Sequence, residues 1–176
     1  MTYGLVEMHI RRSRHEDKEP IGAMLAATDV FRPEEIEVAL ELVDVFLDKP
    51  NQKDYDMYSA VGDADEVLGY LCVGPTPVTA GTYDLYWIAV HPSAQRHGVG
   101  KALLEFCEEL VRLQGGRLIV AETSSQPKYL KTRTFYLHNG YLEAATLKDY
   151  YNVGDDLVIY AKYLRQQEDT QHHIGG

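Results

Sequence analysis

A chain of 176 residues is long enough for one domain with a full hydrophobic core and short for two. A mean hydropathy of -0.30 and the lack of a long apolar run argue against a membrane span, and no signal-peptide pattern marks the N terminus. The net charge of -10 disfavours a nucleic-acid-binding surface, because neutralising phosphates requires a basic face. These features predict a cytoplasmic globular protein with no nucleic-acid or membrane partner.

The charge is distributed unevenly along the chain. Residues 91–140 carry seven Lys and Arg against four Asp and Glu, although the whole chain is acidic. A basic middle segment favours a local site for an anion. Two cysteines, Cys72 and Cys107, lie among apolar neighbours and cannot form a zinc site alone, and the histidines do not cluster. We therefore predict no metal site.

Hydrophobic periodicity and turn signals divide the chain into seven strands and four helices. The predicted elements are a strand at 6–11, helices at 21–30 and 33–47, strands at 55–61, 67–73 and 82–90, a helix at 98–113, a strand at 117–122, a helix at 124–138, and strands at 141–150 and 157–163. This order predicts an α/β (mixed α+β) domain over residues 1–164, with a central, mostly antiparallel sheet of about seven strands flanked by about four helices. Residues 165–176 form a polar, frayed tail in this prediction.

Two neighbour relations follow from the element order. A crossover helix joins strand 82–90 to strand 117–122, so the two strands should be parallel and adjacent. The last strand, 157–163, is expected at an edge, where it could pair with a second copy in a homodimer. Strand 82–90 should be central because both of its faces are largely apolar. Simple alternation places Tyr83, Leu85, Trp87 and Ala89 on one face and Asp84, Tyr86 and Ile88 on the other.

A glycine-containing loop between strand 82–90 and the next helix is the candidate anion site. Glycines let the backbone approach an anion closely, and the first amides of a helix have no partner within the helix. The P-loop pattern fails because Gln95 and Ala102 stand where it needs Gly and Ser or Thr, and the dinucleotide pattern lacks its third glycine. The loop consists of Gln95, Arg96, His97, Gly98, Val99, Gly100 and Lys101.

This loop resembles the signature of the GCN5-related N-acetyltransferases (GNAT), a family that uses acetyl-CoA. Gln95, Gly98 and Gly100 match this signature, which consists of Gln or Arg, any two residues, Gly, any one residue, and then Gly or Ala. A second segment, 134–141, is similar to the family's fourth helix, with Phe-Tyr followed by Gly and an aromatic residue. With the element order, the resemblance covers residues 6–164 and implies the GNAT fold.

The resemblance implies a role for each matched position. Backbone groups of Ile88, Ala89 and Val90 would bind the pantetheine arm and the thioester oxygen, and the amides of residues 95–101 would bind the diphosphate. Tyr136 would protonate the departing thiolate. The chain departs from the family at the start of the fourth helix, where Ser-Gln-Pro at 125–127 replaces a frequent Asn.

Acetylating an amine also requires a base, since an alkylammonium with a pKa near 10 is only about 0.1% neutral at pH 7. Glu122, at the end of strand 117–122, resembles the general-base glutamate of some family members. Asp84 and Tyr86 on the neighbouring strand are rival candidates. In the alternative interpretation, Glu122 only forms an ion pair with Lys128 or Arg133.

The resemblance therefore implies an acetyl-CoA-dependent N-acetyltransferase that acetylates a primary amine by direct attack, without an acetyl-enzyme. The acceptor is a small molecule or a peptide amino terminus, and the family would hold it between the first two helices and segment 147–156. Two alternatives stay open. One is a module that binds acetyl-CoA without chemistry; the other is transfer of a different acyl group or transfer to a hydroxyl.

Overall fold

The computed structural model describes residues 7–164, so the start of the predicted first strand and the predicted tail at 165–176 lie outside the described range. The strands are β1 (His9–Arg12), β2 (Asp56–Val61), β3 (Val67–Pro75), β4 (Thr82–Val90), β5 (Leu118–Ser124), β6 (Leu142–Asn152) and β7 (Asp155–Tyr163). The helices are α1 (Lys18–Ala27), α2 (Pro33–Asp48), α3 (Val99–Leu113) and α4 (Leu130–His138), and a 3-10 turn at Pro127–Tyr129 precedes α4. The predicted element order is confirmed, although α4 begins several residues later than predicted.

The seven strands form one sheet in the order β1-β2-β3-β4-β5-β7-β6. All neighbouring pairs are antiparallel except β4 and β5, which run parallel and are joined by α3. This confirms the predicted fold class and the predicted crossover. None of the helices in residues 7–164 is both long and apolar enough to cross a membrane.

Each face of the sheet is covered by two helices. On one face, α1 and α2 pack on β2, β3 and β4 around buried residues that include Met24, Val43 and Tyr70. On the other face, α3 and α4 pack on the sheet around Leu103 and Ile119, among others. The helix spacing of apolar residues in α3 explains this packing, because one stripe of the helix is buried and the opposite side is solvated.

The predicted alternation along β4 is wrong beyond Leu85, because the strand contains a β-bulge. Val73 of β3 pairs with Leu85 and the preceding Cys72 pairs with Trp87, which leaves Tyr86 as an extra residue. Leu85 therefore faces the α3 side, whereas Trp87 packs in the cluster under α1 and α2. A bulge bends its strand and increases the local twist, so β4 leaves the direction of β5 at this point.

The prediction that β7 is an edge strand is also wrong. β7 lies between β5 and β6 and pairs antiparallel with both, so its backbone hydrogen-bonding groups are already used. The strand at that edge is β6, whose eleven residues are all exposed. Backbone pairing of two copies through β7 is therefore excluded by its position in the sheet, and the homodimer itself stays a prediction.

Candidate active site

The centre of the sheet contains a gap between β4 and β5. The two strands pair only from Thr82–Leu118 to Asp84–Val120, and β5 continues beyond Val120 paired with β7 alone. The following half of β4 pairs with β3 on one side, and its β5 side has no strand partner. Ile88, Ala89 and Val90, the three residues predicted to bind an extended ligand through their backbone, lie on this open edge. Unpaired backbone groups inside a sheet favour a ligand that supplies the missing hydrogen bonds.

The predicted anion loop lies directly beyond this open edge, at the N terminus of α3. Gly98 is the residue before the helix and has φ of 83°, and Arg96 has φ of 66°. Ala102 N–H donates to the Gly98 carbonyl at 2.9 Å, which closes the first turn. Within residues 7–164, no backbone hydrogen bond outside the regular elements uses the amides from Arg96 to Lys101. Six consecutive amides and the positive end of the helix dipole are thus available to an anion.

The two glycines of the loop are required for different reasons. At Gly98 a side chain would meet no atom within 4 Å, but the left-handed backbone favours glycine. At Gly100 a Cβ atom would lie 3.2 Å from Phe135 Cε2 and 3.4 Å from Val90 Cγ2. Gly100 therefore lets α3, α4 and the end of β4 approach closely, which holds the loop beside the open strand edge.

The other predicted loop residues contribute side chains differently. Val99 is 1% exposed and anchors α3 in the core, so only its amide can serve a ligand. Gln95 donates from Nε2 to the Val90 carbonyl at 3.4 Å, and its own amide donates to Pro92. The Lys101 side chain is 67% exposed and makes a long contact of 3.7 Å with Glu105. With exposed Arg96, it supplies mobile positive charge, while His97 is half-buried.

Tyr136, the predicted proton donor, is almost enclosed. It is 4% exposed and stacks on Tyr160 with ring centroids 5.4 Å apart, and Tyr141 lies at the same centroid distance. Burial, followed by the nearby Cys107, raises the pKa of Tyr136, so its hydroxyl is protonated at neutral pH. A protonated phenol can donate to a thiolate, and the Tyr136 hydroxyl is not among the fully buried polar atoms without a partner, whereas the Tyr70 and Tyr141 hydroxyls are.

Glu122, the predicted base, projects from the other side of the gap. Val120 pairs with Asp84 across β4 and β5, and Glu122 is two residues further along β5, so Asp84 and Glu122 share the face covered by α1 and α2. Glu122 is exposed, and partial desolvation, followed by the charge of Asp84, raises the pKa of Glu122 above its usual value. A raised pKa makes Glu122 a better proton acceptor near neutral pH.

Glu122 makes no ion pair with Lys128 or Arg133, the partners of the alternative interpretation. Arg133 donates to the backbone carbonyls of Ser124 and Gln126 at 2.7 and 2.9 Å, and Lys128 lies 5.2 Å from the centre of the Tyr129 ring. Of the rival bases, Asp84 accepts a hydrogen bond from Thr76 at 2.7 Å, and Tyr86 is 45% exposed.

Aromatic and acidic side chains from distant segments cover the gap on the α1 and α2 side. Tyr129 donates through its hydroxyl to Glu35 Oε1 at 3.0 Å, which joins the turn before α4 to the start of α2. Phe31 precedes α2 and contacts both Trp87 and Tyr129, with centroid distances of 5.2 and 6.4 Å. Glu35 is fixed there because it caps α2 by accepting from the Arg32 amide at 2.7 Å.

The end of the β6–β7 hairpin also covers this side of the gap, and with Phe31, Glu35 and Tyr129 it forms what we call the wall of the cleft. Asp155 is 9% exposed and accepts hydrogen bonds from the Ser124 hydroxyl at 2.5 Å and from Gln126 Nε2 at 2.9 Å. Tyr151 lies close enough to Glu122 and Asp155 for their charges to add to the effect of burial, which together raise the pKa of Tyr151 to about 12. The wall thus combines carboxylates with aromatic rings.

Comparison with known proteins identifies the family to which this fold and site belong. The family model described as an acetyltransferase (GNAT) domain matches residues 53–143. The crystal structure of a GNAT-family protein from Desulfovibrio desulfuricans is 44% identical, covers 90% of this chain and 100% of its own, and superposes with a TM-score of 0.85. The chain belongs to the GNAT family of acetyltransferases. No curated protein sequence matches the chain.

More distant GNAT structures share the fold. The ribosomal-protein-S18-alanine N-acetyltransferase from Escherichia coli is 18% identical over 93% of this chain and 98% of its own, with a TM-score of 0.70. An aminoglycoside 6'-N-acetyltransferase complexed with coenzyme A is 18% identical over 92% of this chain and 99% of its own, with a TM-score of 0.69.

The structure places the predicted residues at one end of this GNAT cleft, and their roles there stay predictions. Residues 88–101 and Glu122 do converge on the gap. No local sequence pattern marked the side chains that form this wall, because each is a single residue within its own segment. Phe31, Glu35, Tyr151 and Asp155 lie within or between the segments expected to hold the acceptor but were not singled out, and Tyr129 lies outside those segments.

Proposed function

We propose that this GNAT protein transfers the acetyl group of acetyl-CoA to a primary amine. The observation that carries the proposal is the continuous line formed by the open edge of β4 and the six unbonded amides at the start of α3. An extended chain with amide groups that ends in a diphosphate is the shape and chemistry this line fits. The pantetheine arm of acetyl-CoA has both features.

The chain would hold acetyl-CoA mainly through its backbone. The peptide groups of Ile88, Ala89 and Val90 would pair with the pantetheine amides and donate to the thioester oxygen, where negative charge develops during attack. The amides of residues 96–101 would bind the diphosphate, with Arg96 and Lys101 as mobile counter-charges.

Starting from an ammonium, the nitrogen loses two protons, one before it attacks and one as the amide forms, and the departing sulfur gains one; the net result is one proton released to solvent. The amine nitrogen attacks the thioester carbonyl, so a C–N bond forms and the C–S bond breaks. Glu122 would take the proton that the ammonium must lose, which offsets a cost of roughly 4 kcal/mol at pH 7. Tyr136 would give its proton to the departing thiolate sulfur and regain one from solvent. The products are an acetylated amine and free CoA.

Relatives support an amine as the acceptor. The E. coli protein is named for an alanine of ribosomal protein S18, and the coenzyme A complex belongs to an aminoglycoside acetyltransferase. Carried to this chain, these names support N-acetylation rather than transfer to a hydroxyl. They do not choose between a peptide amino terminus and a small molecule.

One observation favours a second candidate, a module that binds acetyl-CoA without transferring its acetyl group. Tyr136 is 4% exposed and its ring packs against the rings of two other tyrosines, a position that also suits a residue with a purely structural role. In this alternative, Tyr136 is a core residue and the cleft senses acetyl-CoA.

Two measurements test the proposal and separate it from the alternative. Isothermal titration with acetyl-CoA should give saturable binding, and a thiol-release assay with a panel of amines and peptides should give free CoA, with the acetylated product seen by mass spectrometry. Lack of binding would overturn the proposal. Binding with no thiol release from any acceptor would establish the second candidate instead.

A further inference from the structure

The helix that carries Tyr136 is held to the rest of the protein by few buried side chains. α4 has nine residues, and Tyr136 is the only buried residue among them. Leu130 and Leu137 are exposed although both are apolar. An element with little buried apolar surface is held less firmly than the core. The position of α4, and with it the position of the Tyr136 hydroxyl, therefore depends on a small number of anchoring contacts.

Arg133 provides an anchor near the start of α4. Its Nη1 atom donates to the backbone carbonyls of Ser124 at 2.7 Å and of Gln126 at 2.9 Å. Ser124 is the last residue of β5, and Gln126 lies in the connection that follows. In the part of the chain that the structure describes, no other side chain of α4 forms a hydrogen bond to another segment. Arg133 thus connects α4 directly to the end of β5.

Arg133 stands where a helix favours acidic residues. The first four residues of α4 include Lys131 and Arg133 and no acid, although the positive end of the helix dipole favours negative charge there. Within residues 7–164, the hydrogen bonds of Arg133 go to the two carbonyls and not to a carboxylate. A residue that breaks a local preference in this way is expected where a tertiary contact requires it.

The two elements that Arg133 joins carry the candidate base and the candidate acid. Glu122 lies on β5, two residues before Ser124, and Tyr136 lies on α4, three residues after Arg133. Residues three apart in a helix are neighbours on its surface. A shift of α4 relative to the end of β5 would therefore move the Tyr136 hydroxyl relative to Glu122 and to the open edge of β4.

The later part of α4 has separate anchors. Lys162 of β7 donates from Nζ to the carbonyl of Asn139, the residue after α4, at 2.9 Å, and to Glu108 of α3 at 2.8 Å. Tyr136 itself stacks on Tyr160 of β7. These contacts hold the end of α4 against β7 and α3, and neither of them reaches β5. The spacing between the start of α4 and β5 is left to Arg133.

We propose that Arg133 is a positioning residue for acetyl transfer: by binding the end of β5, its guanidinium holds the Tyr136 hydroxyl at the sulfur of the bound thioester. This inference rests on the proposed function and on Tyr136 as the proton donor in it. Arg133 would act through Tyr136 and would not touch the reacting atoms. Displacing a catalytic group by about 1 Å can lower a rate by about 10²-fold, so loss of the anchor should affect catalysis more than cofactor binding.

A double-mutant cycle with Arg133→Met and Tyr136→Phe tests this coupling. Methionine keeps most of the aliphatic stem and removes both hydrogen bonds. With the amine of the thiol-release panel that has the highest kcat/KM, Arg133→Met should lower kcat by about 10- to 50-fold. The Kd for acetyl-CoA and the KM for that amine should stay within about threefold of the parent values. In the Tyr136→Phe chain, the same substitution should change kcat by less than about twofold, because the displaced hydroxyl is already absent.

Arg117→Met is the matched control. Arg117 directly precedes β5 and donates from Nε to the Ala80 carbonyl at 2.8 Å, so this variant removes a comparable hydrogen bond at the opposite end of the strand. It should leave kcat unchanged. Arg133→Lys retains the charge and has donors for the same carbonyls, so it should recover part of the lost kcat. Should Arg133→Met fail to bind acetyl-CoA, Arg133→Lys takes its place in the cycle.

Other results in these assays would overturn the inference. An unchanged kcat in Arg133→Met, or an equal loss of kcat with and without the Tyr136 hydroxyl, would show that Arg133 does not act through Tyr136. A raised KM for the amine with kcat retained would assign Arg133 to the acceptor side of the cleft instead. In each case the N-acetyltransferase function stands. That function fails, and this inference with it, if acetyl-CoA does not bind or no acceptor releases thiol.

Discussion

The two ends of the cleft are built in different ways. The cofactor end is formed by the backbone of one continuous stretch, residues 88–101, in which side-chain identity matters at Gly98 and Gly100. The acceptor end is formed by single side chains from α2, β4, β5, β7 and the turn before α4. A backbone site of this kind tolerates sequence change around a short glycine pattern, whereas a side-chain site can be altered one residue at a time. The first end therefore carries the family's sequence signature, and in the proposed function the second end would select the acceptor.

The two ends also differ in charge. Exposed Arg96 and Lys101 lie beside the unbonded amides, and Asp84, Glu122 and Asp155 lie across the gap. Acetyl-CoA is an anion, so the acidic end would repel it if the charges were mixed. Separation of the charges allows an anion and a cation to bind side by side.

The largest expected effect comes from placing a negative charge at the cofactor end. In Gly98→Asp, a carboxylate would stand about 5 Å from the diphosphate, where each pair of unit charges costs about 3 kcal/mol at an effective dielectric constant of 20. The Kd for acetyl-CoA should rise by roughly 1,000-fold or more, measured by isothermal titration.

Gly115→Asp is the matched control for that experiment. Gly115 has φ of 78°, close to that of Gly98, and a side chain there also meets no atom within 4 Å. It lies at the opposite end of α3, so the variant introduces the same charge and the same backbone strain away from the cleft. Equal loss of affinity in both variants would show that the loop is not the diphosphate site.

A somewhat smaller effect is expected at the acceptor end from Glu122→Gln. Loss of the base should lower kcat/KM by about 10²- to 10³-fold and leave the Kd for acetyl-CoA unchanged. Glu122 works only when ionised, and its pKa is raised, so the parent rate should fall as pH decreases through a value above the usual carboxyl range. The variant should lose this acidic limb of the pH profile.

Asp84→Asn sharpens the same comparison. Removing the charge of Asp84 should lower the pKa of Glu122 and move the acidic limb to lower pH without abolishing it. Should the limb persist in Glu122→Gln and vanish in Asp84→Asn, the base is Asp84.

The smallest of the three effects concerns Tyr136, which lies between the two ends. Tyr136→Phe keeps the stacked ring and removes only the hydroxyl, so kcat should fall by about 10²-fold while the Kd for acetyl-CoA is retained. The loss should be near the lower limit for acid catalysis because a thiolate is already a good leaving group. An unchanged kcat would make Tyr136 a core residue, and would leave the proton donor at another group.

The errors of the sequence analysis share one cause. The predicted alternation of side chains along β4 is wrong from Tyr86 onward. A bulge depends on how β3 and β4 fit together and not on the residues of β4 alone. The predicted edge position of β7 is wrong because the order of strands in a sheet is not their order in the chain. The alternative hypothesis of an ion pair between Glu122 and Arg133 is wrong because Arg133 donates to backbone carbonyls instead.

The amino-acid sequence by itself determined the order of the elements, the parallel crossover and the position of the glycine loop before α3. Each depends on residues close together in the chain: a periodic apolar stripe, a glycine with positive φ, the free amides at a helix start. Only the tertiary structure decided that β4 opens from β5, that Tyr136 is enclosed, and that Glu35, Glu122 and Asp155 border one space. Those features depend on contacts between residues as much as 94 positions apart. Packing forms such contacts, and no local pattern encodes them.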